Sequence, residues 1–163
     1  MNKKKLIRYA RSVLTFLLTL LLVSTAADWY RAPAVPADAA ALPLQAVGAA
    51  QAHTLQQYSQ DKVLVLYFWG SWCGVCRHTS PAVEKLRQDG VPVLGVALRS
   101  GSDADIRRYL QQHSWHFDSV NDADGSLSRL WQVRVTPTIV LVRNGKVRHS
   151  TTGIAAYPTL KLR

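Results

Sequence analysis

Hydrophobic and polar positions divide the chain from residue 63 onward into strands and helices. The run VLVLYFW at 63–69 is uncharged and rich in β-branched and aromatic residues, which is typical of a strand covered on both faces. The next segment predicts a helix, because its apolar stripe recurs every three or four positions. That stripe consists of Val75, Thr79, Ala82, Val83 and Leu86. Pro81 is expected to kink this helix and Gly90 to end it.

The second half of the chain repeats this alternation. A second strand is predicted at 91–98, and a capping-box pattern at Ser102 and Asp105 opens a second helix. A third strand at 138–142 leads through Asn144-Gly145, a strong hairpin signal, into a fourth at 146–151. A short last element follows at 157–163. The order βαβαββα predicts an α/β fold whose central mixed sheet is flanked by helices.

The N-terminus carries a targeting pattern. A basic head at 1–11 precedes sixteen uncharged residues at 12–27. Small residues at Ala26 and Ala27 suit a cleavable signal peptide, whereas Trp29 and Tyr30 suit the interfacial belt of an uncleaved anchor. We favour the anchor; in either case the head stays in the cytoplasm and the rest crosses the membrane. The predicted divisions are a cytoplasmic head (1–11), a signal anchor or signal peptide (12–30), an Ala/Pro-rich linker (31–43) and a folded domain (44–163).

Net charge argues against a nucleic-acid partner. The whole chain carries +10, but five of its basic residues lie before the first acid, Asp28. The remainder has fifteen basic and ten acidic residues, a net charge of +5. It contains no run of Lys or Arg interleaved with aromatic residues, so we predict no nucleic-acid binding.

The two cysteines, Cys73 and Cys76, are separated by two residues at the junction of a predicted strand and helix. A lone pair excludes a disulfide-rich scaffold and an all-cysteine zinc site. At the first turn of a helix, free N–H groups and the macrodipole favour the thiolate form of a cysteine. Cys73 is therefore the expected nucleophile, and Cys76 is the expected resolving thiol.

Five short segments extend this pattern: FWGSWCGVCR at 68–77, NDADG at 121–125, LWQV at 130–133, VTPT at 135–138 and NGK at 144–146. In this order they resemble the thioredoxin superfamily, over about residues 44–155. Within it, the chain resembles the membrane-anchored periplasmic thioredoxin-like proteins of bacteria, the group that includes the cytochrome c maturation thioredoxins. The segment 72–81 is most similar to the suppressor-of-copper-sensitivity disulfide oxidoreductases.

The resemblance implies a thioredoxin fold and a substrate groove beside the cysteines. It implies that the Thr136-Pro137 bond is cis, that Pro137 packs beside the disulfide, and that the backbone of Thr136 binds an extended substrate. Trp72 would flank the groove as an apolar landing surface, whereas Trp69 is expected in the core. The residues alone show only a proline at the head of a strand.

Two positions depart from the family pattern. Thioredoxins carry a buried acid six residues before the first cysteine, where this chain has Tyr67. The cytochrome c maturation relatives carry a glutamate three residues after the second cysteine, where this chain has Thr79. No carboxylate is therefore expected beside Cys76. Glu84, the only glutamate, is predicted to be a solvated surface charge.

The predicted protein is a thiol-disulfide oxidoreductase held by a single pass in the bacterial inner membrane, with its catalytic domain in the periplasm. Its dithiol would reduce protein disulfides without a cofactor, and a membrane thiol-disulfide donor would supply the electrons. One alternative within the same class is a disulfide oxidant or isomerase.

A second alternative is a copper(I)-binding module, because two soft thiolates suit that ion. The chain has no methionine-rich or histidine-rich cluster, and Met1 is its only methionine. We therefore predict no metal site.

Overall fold

The structure is a computed structural model that describes residues 3–153, with the side chains of 3–8, 10, 28 and 29 excepted. The chain forms two units, Met1–Arg31 and Ala32–Arg163. The first contains the helix α1 (Lys3–Arg31). Among the described residues we find no helix with the length and apolarity of a membrane span, so the predicted anchor is not confirmed. The element predicted at 157–163 lies outside the described residues.

The second unit alternates strands and helices after a single 3-10 turn (Ala39–Ala41). Its elements are β1 (Pro43–Leu44), β2 (His53–Thr54), α2 (Leu55–Tyr58), β3 (Leu64–Trp69), α3 (Gly74–Gln88), β4 (Val93–Leu98), α4 (Asp103–Gln112), β5 (Asp118–Asp122), α5 (Ser126–Leu130), β6 (Thr138–Arg143) and β7 (Lys146–Thr152). The predicted strands and helices form within about two residues of their expected bounds, and α3 continues through Pro81.

The main sheet is mixed, as predicted, with the strand order β5-β4-β3-β6-β7. Strand β3 is parallel to β4 and antiparallel to β6, and β4 is parallel to β5. The carboxyl ends of β3, β4 and β5 therefore lie at one edge of the sheet. The active cysteines follow β3 at this edge, where open α/β sheets bind their ligands.

Both faces of β3 are buried, which explains its uninterrupted apolar sequence. On one face Val65, Tyr67 and Trp69 pack in a core that includes residues from α3 and α4. On the other face Leu64, Leu66 and Phe68 pack with residues from the segment 39–46, from α2 and from the end of α5. Helices and loops thus cover the sheet on both sides, in the layered arrangement that the element order predicts.

Two local motifs form as their sequences predict. At the start of α4 the Ser102 hydroxyl accepts a hydrogen bond from the Asp105 N–H at 3.3 Å, and the Asp105 carboxylate accepts one from the Ser102 N–H at 2.9 Å. Between β6 and β7, Asn144 and Gly145 adopt φ values of 53° and 72°. These left-handed conformations are those a tight hairpin requires.

Strand β5 is absent from the sequence prediction. It has the sequence DSVND, in which a single apolar residue, Val120, offers no alternation to detect. It forms because β4 supplies hydrogen-bond partners along its whole length. Residues 46 and 47 pair with its other edge. Ala46 forms an antiparallel bridge with Val120, and the Val47 N–H donates to the Ser119 carbonyl at 2.8 Å. Within the predicted linker, Ala39 is buried in the core.

Gly95 in the middle of β4 is expected to be intolerant of a side chain. A Cβ there would collide with the Ser119 hydroxyl and would lie 2.7 Å from the Trp69 indole nitrogen. We expect Gly95→Ala to lower the free energy of unfolding by about 1–3 kcal/mol, because the flanking strands cannot move apart. Chemical denaturation measures this, with Gly74→Ala as the matched control, since nothing lies within 4 Å of a Cβ at Gly74. Equal stabilities of the two variants would contradict the prediction.

Candidate functional site

The cysteine pair lies at the start of α3, just after the loop that follows β3. Cys73 is the N-cap residue of α3, with extended backbone angles, and its Sγ accepts a hydrogen bond from the Cys76 N–H at 3.2 Å. The two residues form a disulfide with a Cα–Cα distance of 5.3 Å. Since the sulfur of Cys73 faces the positive end of the helix, negative charge on that sulfur is stabilised once the disulfide opens.

The two cysteines differ in burial and in their surroundings. Cys73 is 6% exposed and Cys76 1% exposed, so Cys73 is the more accessible of the two. The sulfur of Cys73 also lies 3.6 Å from the carbonyl oxygen of Thr136. The division into an attacking Cys73 and a resolving Cys76 stays a prediction, and this difference in exposure supports it.

Thr136 and Pro137 are brought against the cysteines from the far end of the sequence. The Thr136-Pro137 peptide bond is cis, as the resemblance implies. Pro137 is buried, and Thr136 is partly exposed. The segment is held by the Thr138 hydroxyl, which donates to the Val135 carbonyl at 2.8 Å. Main-chain groups beside a sulfur at the edge of a sheet offer an extended peptide a place to pair.

Trp72 lies at the surface next to the disulfide, with 57% of its side chain exposed. Its indole N–H donates to the Leu98 carbonyl at 2.9 Å, so the ring is held by the end of β4. The close approach of the ring explains Gly70, where a Cβ would lie 2.7 Å from an indole carbon. Trp69, in contrast, is fully buried, as predicted.

Ser100 supports the same loop from the end of β4. Its hydroxyl accepts a hydrogen bond from the Ser71 N–H at 3.0 Å and donates to the Leu98 carbonyl at 3.1 Å. Ser100 is not among the residues predicted from the sequence. Its partners lie up to 29 positions away in the chain, so no local pattern marks it.

Tyr67 packs next to Cys76, at the sequence position where thioredoxins carry a buried acid. This side chain is fully buried, and its hydroxyl lies 3.3 Å from the Cys76 carbonyl oxygen and 2.9 Å from the Ser80 hydroxyl. Burial raises the pKa of Tyr67 far above its ordinary value, although the hydrogen bond with Ser80 acts in the opposite direction. Tyr67 is therefore neutral at physiological pH.

The prediction that Glu84 is a solvated surface charge is wrong. Glu84 is 4% exposed, and its carboxylate accepts hydrogen bonds from the Arg87 guanidinium at 2.8 Å and from the His116 N–H at 2.9 Å. The His116 ring lies 3.6 Å away. Burial raises the pKa of Glu84, but these hydrogen bonds and positive charges outweigh burial and hold the pKa below its ordinary value. Glu84 thus joins α3 to the segment before β5.

Because the Glu84 pKa is lowered by folding, its ionised form stabilises the folded state. This contribution is complete above the ordinary pKa of 4.5 and is lost as the pH falls through the lower folded value. We expect Glu84→Gln to destabilise the protein at pH 7 and to flatten the loss of stability below pH 4.5. Denaturation curves of both proteins between neutral and acidic pH measure this. Curves that stay parallel over the whole range would show that the carboxylate charge contributes nothing.

The described residues hold no group of three or more His, Cys, Asp or Glu side chains placed to bind a metal ion. His78, the histidine nearest to the cysteine pair in sequence, is exposed on α3. In this part of the chain the copper(I) alternative therefore rests on the two cysteine sulfurs.

The mixed sheet, the cysteine pair at the start of a helix and the adjacent cis proline together define a thioredoxin-like thiol-disulfide oxidoreductase. The chain belongs to the AhpC/TSA family, whose model matches residues 34–150. It is 42% identical to a thioredoxin-like protein of Haemophilus influenzae over 163 residues, covering 100% of this chain and 95% of that protein.

Two further comparisons concern part of the sequence and the fold. The chain is 30% identical over 96 residues to the thiol:disulfide interchange protein DsbE of Pseudomonas aeruginosa, which covers 58% of this chain and 53% of DsbE. The crystal structure of StoA from Bacillus subtilis shares its fold, with a TM-score of 0.65 and 20% identity, over 78% of this chain and 98% of StoA.

Proposed function

We propose that this protein reduces disulfide bonds of other proteins, with Cys73 as the nucleophile and Cys76 as the resolving thiol. The observation that carries the proposal is the position of Cys73. It caps α3, is more exposed than Cys76 and lies against the Thr136 carbonyl. A sulfur in this position is both stabilised as a thiolate and reachable by a partner.

The reaction proceeds in two exchanges. The Cys73 thiolate attacks one sulfur of the partner's disulfide, so that a Cys73–partner bond forms and the partner's second sulfur leaves as a thiolate. Cys76 then attacks Cys73, the Cys73–Cys76 disulfide closes, and the partner's first sulfur leaves. The partner gains two electrons and two protons, and the enzyme loses them.

The partner is proposed to bind as an extended segment across Trp72, Thr136 and Pro137. The exposed indole supplies apolar contact area beside Cys73, and the main chain of Thr136 supplies polar groups. Val75, which is 42% exposed, adds apolar surface two positions after Cys73 in the chain. This combination selects exposed, unfolded or loop-borne disulfides rather than a small molecule.

The reducing direction is supported by two features. The chain resembles reductants of the cytochrome c maturation and copper-sensitivity groups. Its Gly74-Val75 dipeptide also lacks the histidine that stabilises the thiolate further in strong oxidants. In an oxidising compartment a reductant must be reduced again after each reaction. A membrane thiol-disulfide donor is therefore the proposed source of its electrons.

We further propose that the N-terminal segment tethers the domain to the bacterial inner membrane on its periplasmic side. The support is the sequence: an uncharged stretch at 12–27 lies behind five basic residues, the order in which positive charge stays in the cytoplasm. Fractionation of cells, with and without proteolysis of the outer face, tests the tether and the orientation separately.

The equilibrium reduction potential of the full-length protein in glutathione buffers tests the proposed direction. We expect a value near that of thioredoxin, about −270 mV. Such a potential makes the dithiol a donor towards disulfides of higher potential, which are typically the strained or exposed ones. A potential near that of a strong oxidant, about −120 mV, would reverse the direction while leaving the cysteine roles in place.

A further inference from the structure

A pair of hydroxyl groups lies directly behind the resolving cysteine. Tyr67 on β3 and Ser80 on α3 are both fully buried. Their oxygens are 2.9 Å apart, and the Tyr67 oxygen is 3.3 Å from the Cys76 carbonyl oxygen. The pair therefore links the central strand to the first turns of the active-site helix.

The direction of these hydrogen bonds follows from the donors present. A carbonyl oxygen only accepts, so the single proton of Tyr67 points to Cys76. Ser80 must then donate its own proton to the Tyr67 oxygen. Ser80 thus orients the tyrosine hydroxyl, and the tyrosine contacts the cysteine.

Cys76 is held through both of its peptide groups. Its N–H donates to the Cys73 sulfur at 3.2 Å and to the Cys73 carbonyl at 3.1 Å, and its own carbonyl accepts from Tyr67. While the disulfide is closed, the covalent bond also fixes the residue. Once Cys73 is bound to a partner, that covalent constraint is gone, and Cys76 is held by its backbone hydrogen bond to Cys73 and by the hydrogen bond from Tyr67 on the neighbouring strand.

We propose that Tyr67 is a positioning residue, oriented by Ser80, that keeps Cys76 in reach of the Cys73 sulfur while the mixed disulfide is open. The inference rests on the proposed roles of the two cysteines. A fixed geometry raises the effective concentration of one reacting group beside the other, which speeds an intramolecular step without altering the first attack.

Tyr67 assists the second exchange, in which the partner's sulfur is the leaving group. The bond between Cys76 and Cys73 forms, and the bond between Cys73 and the partner's sulfur breaks. The electron pair of the broken bond leaves with the partner's sulfur, which takes up the proton that Cys76 has lost. Neither β3 nor the part of α3 before Glu84 contains a carboxylate that could take the proton of Cys76. The Glu84 carboxylate itself accepts hydrogen bonds from Arg87 and His116.

Ellman's reagent separates the two exchanges in the reduced full-length protein. Attack by Cys73 releases one coloured thiolate at a rate that depends on reagent concentration. Attack by Cys76 releases the second at a rate that does not. We expect Tyr67→Phe to slow the second release about fivefold, the effect of one net hydrogen bond, and to leave the first unchanged.

Ser80→Ala is expected to slow the second release to a lesser extent, and the double variant to be no slower than Tyr67→Phe, because both changes break one linked pair. Ser59→Ala is the matched control. Ser59 is equally buried, and its hydroxyl accepts from the Gly145 N–H at 2.9 Å and donates to the Leu55 carbonyl at 2.8 Å. It should change neither phase.

Three results would overturn the inference: an unchanged second release in Tyr67→Phe, an equal slowing of both releases, or an equal effect of Ser59→Ala. Additive slowing in the double variant would likewise refute the linked pair. Failure of the proposed cysteine roles has a different signature, because the wild-type protein would then show no concentration-independent second release; the direction of the reaction is tested separately by the reduction potential.

Discussion

Replacement of Cys73 by serine is expected to abolish disulfide exchange, leaving only the uncatalysed background. A serine hydroxyl stays protonated at neutral pH and does not attack a disulfide, whereas the thiolate of Cys73 does. Cys76 cannot substitute for it, because only 1% of Cys76 is exposed and it lies behind Cys73. The measurement is the rate of insulin disulfide reduction by the full-length protein with an excess of small dithiol.

A loss of activity in this variant is informative only if the variant is folded, so its unfolding by denaturant is measured as the control. Serine is close to cysteine in size, so Cys73→Ser should unfold cooperatively, near the denaturant midpoint of the reduced wild-type protein. Residual exchange above background in a folded Cys73→Ser protein would show that the nucleophile is wrongly assigned.

Replacement of Cys76 by serine is expected to preserve the first exchange and to stop the second. The partner then stays bound to Cys73, because no intramolecular thiol displaces it. Covalent complexes should accumulate in cells that express Cys76→Ser and should dissolve on addition of reductant. Non-reducing electrophoresis followed by mass spectrometry detects them and identifies the partners.

The matched control is the double variant Cys73→Ser/Cys76→Ser, which has no thiol and should form no complex. If Cys76→Ser yields no more covalent complex than this double variant, the two-cysteine mechanism is refuted. If complexes form with a membrane protein as well as with soluble proteins, they identify the proposed electron donor directly.

Several features of the site could be predicted from sequence because their causes are local. The capping box of Ser102 and Asp105 involves groups three residues apart. The cysteine pair follows an apolar run that can only be a buried strand, so its place at the start of α3 was predictable. Thr136 and Pro137 were predicted through the resemblance, since nothing in their own neighbourhood connects them to cysteines some sixty positions earlier.

Other features could not be predicted because their partners come from separate elements. The sequence of β5 is polar, and the strand exists because β4 offers it a complete ladder of hydrogen bonds. Glu84 is predicted as a surface charge because only its neighbours on the helix are visible in the sequence. Its burial depends on the His116 N–H, 32 residues away.

The secondary structure of the central strands, the start of the active-site helix and the identity of the two thiols follow from local features of the sequence. Periodicity, capping and turn chemistry act over a few residues, and these features obey them. The hydrogen bonds behind Cys76 and the burial of Glu84 depend instead on the tertiary structure. Hydrogen bonds between distant elements form only after the hydrophobic core has brought those elements together, and no local pattern records them.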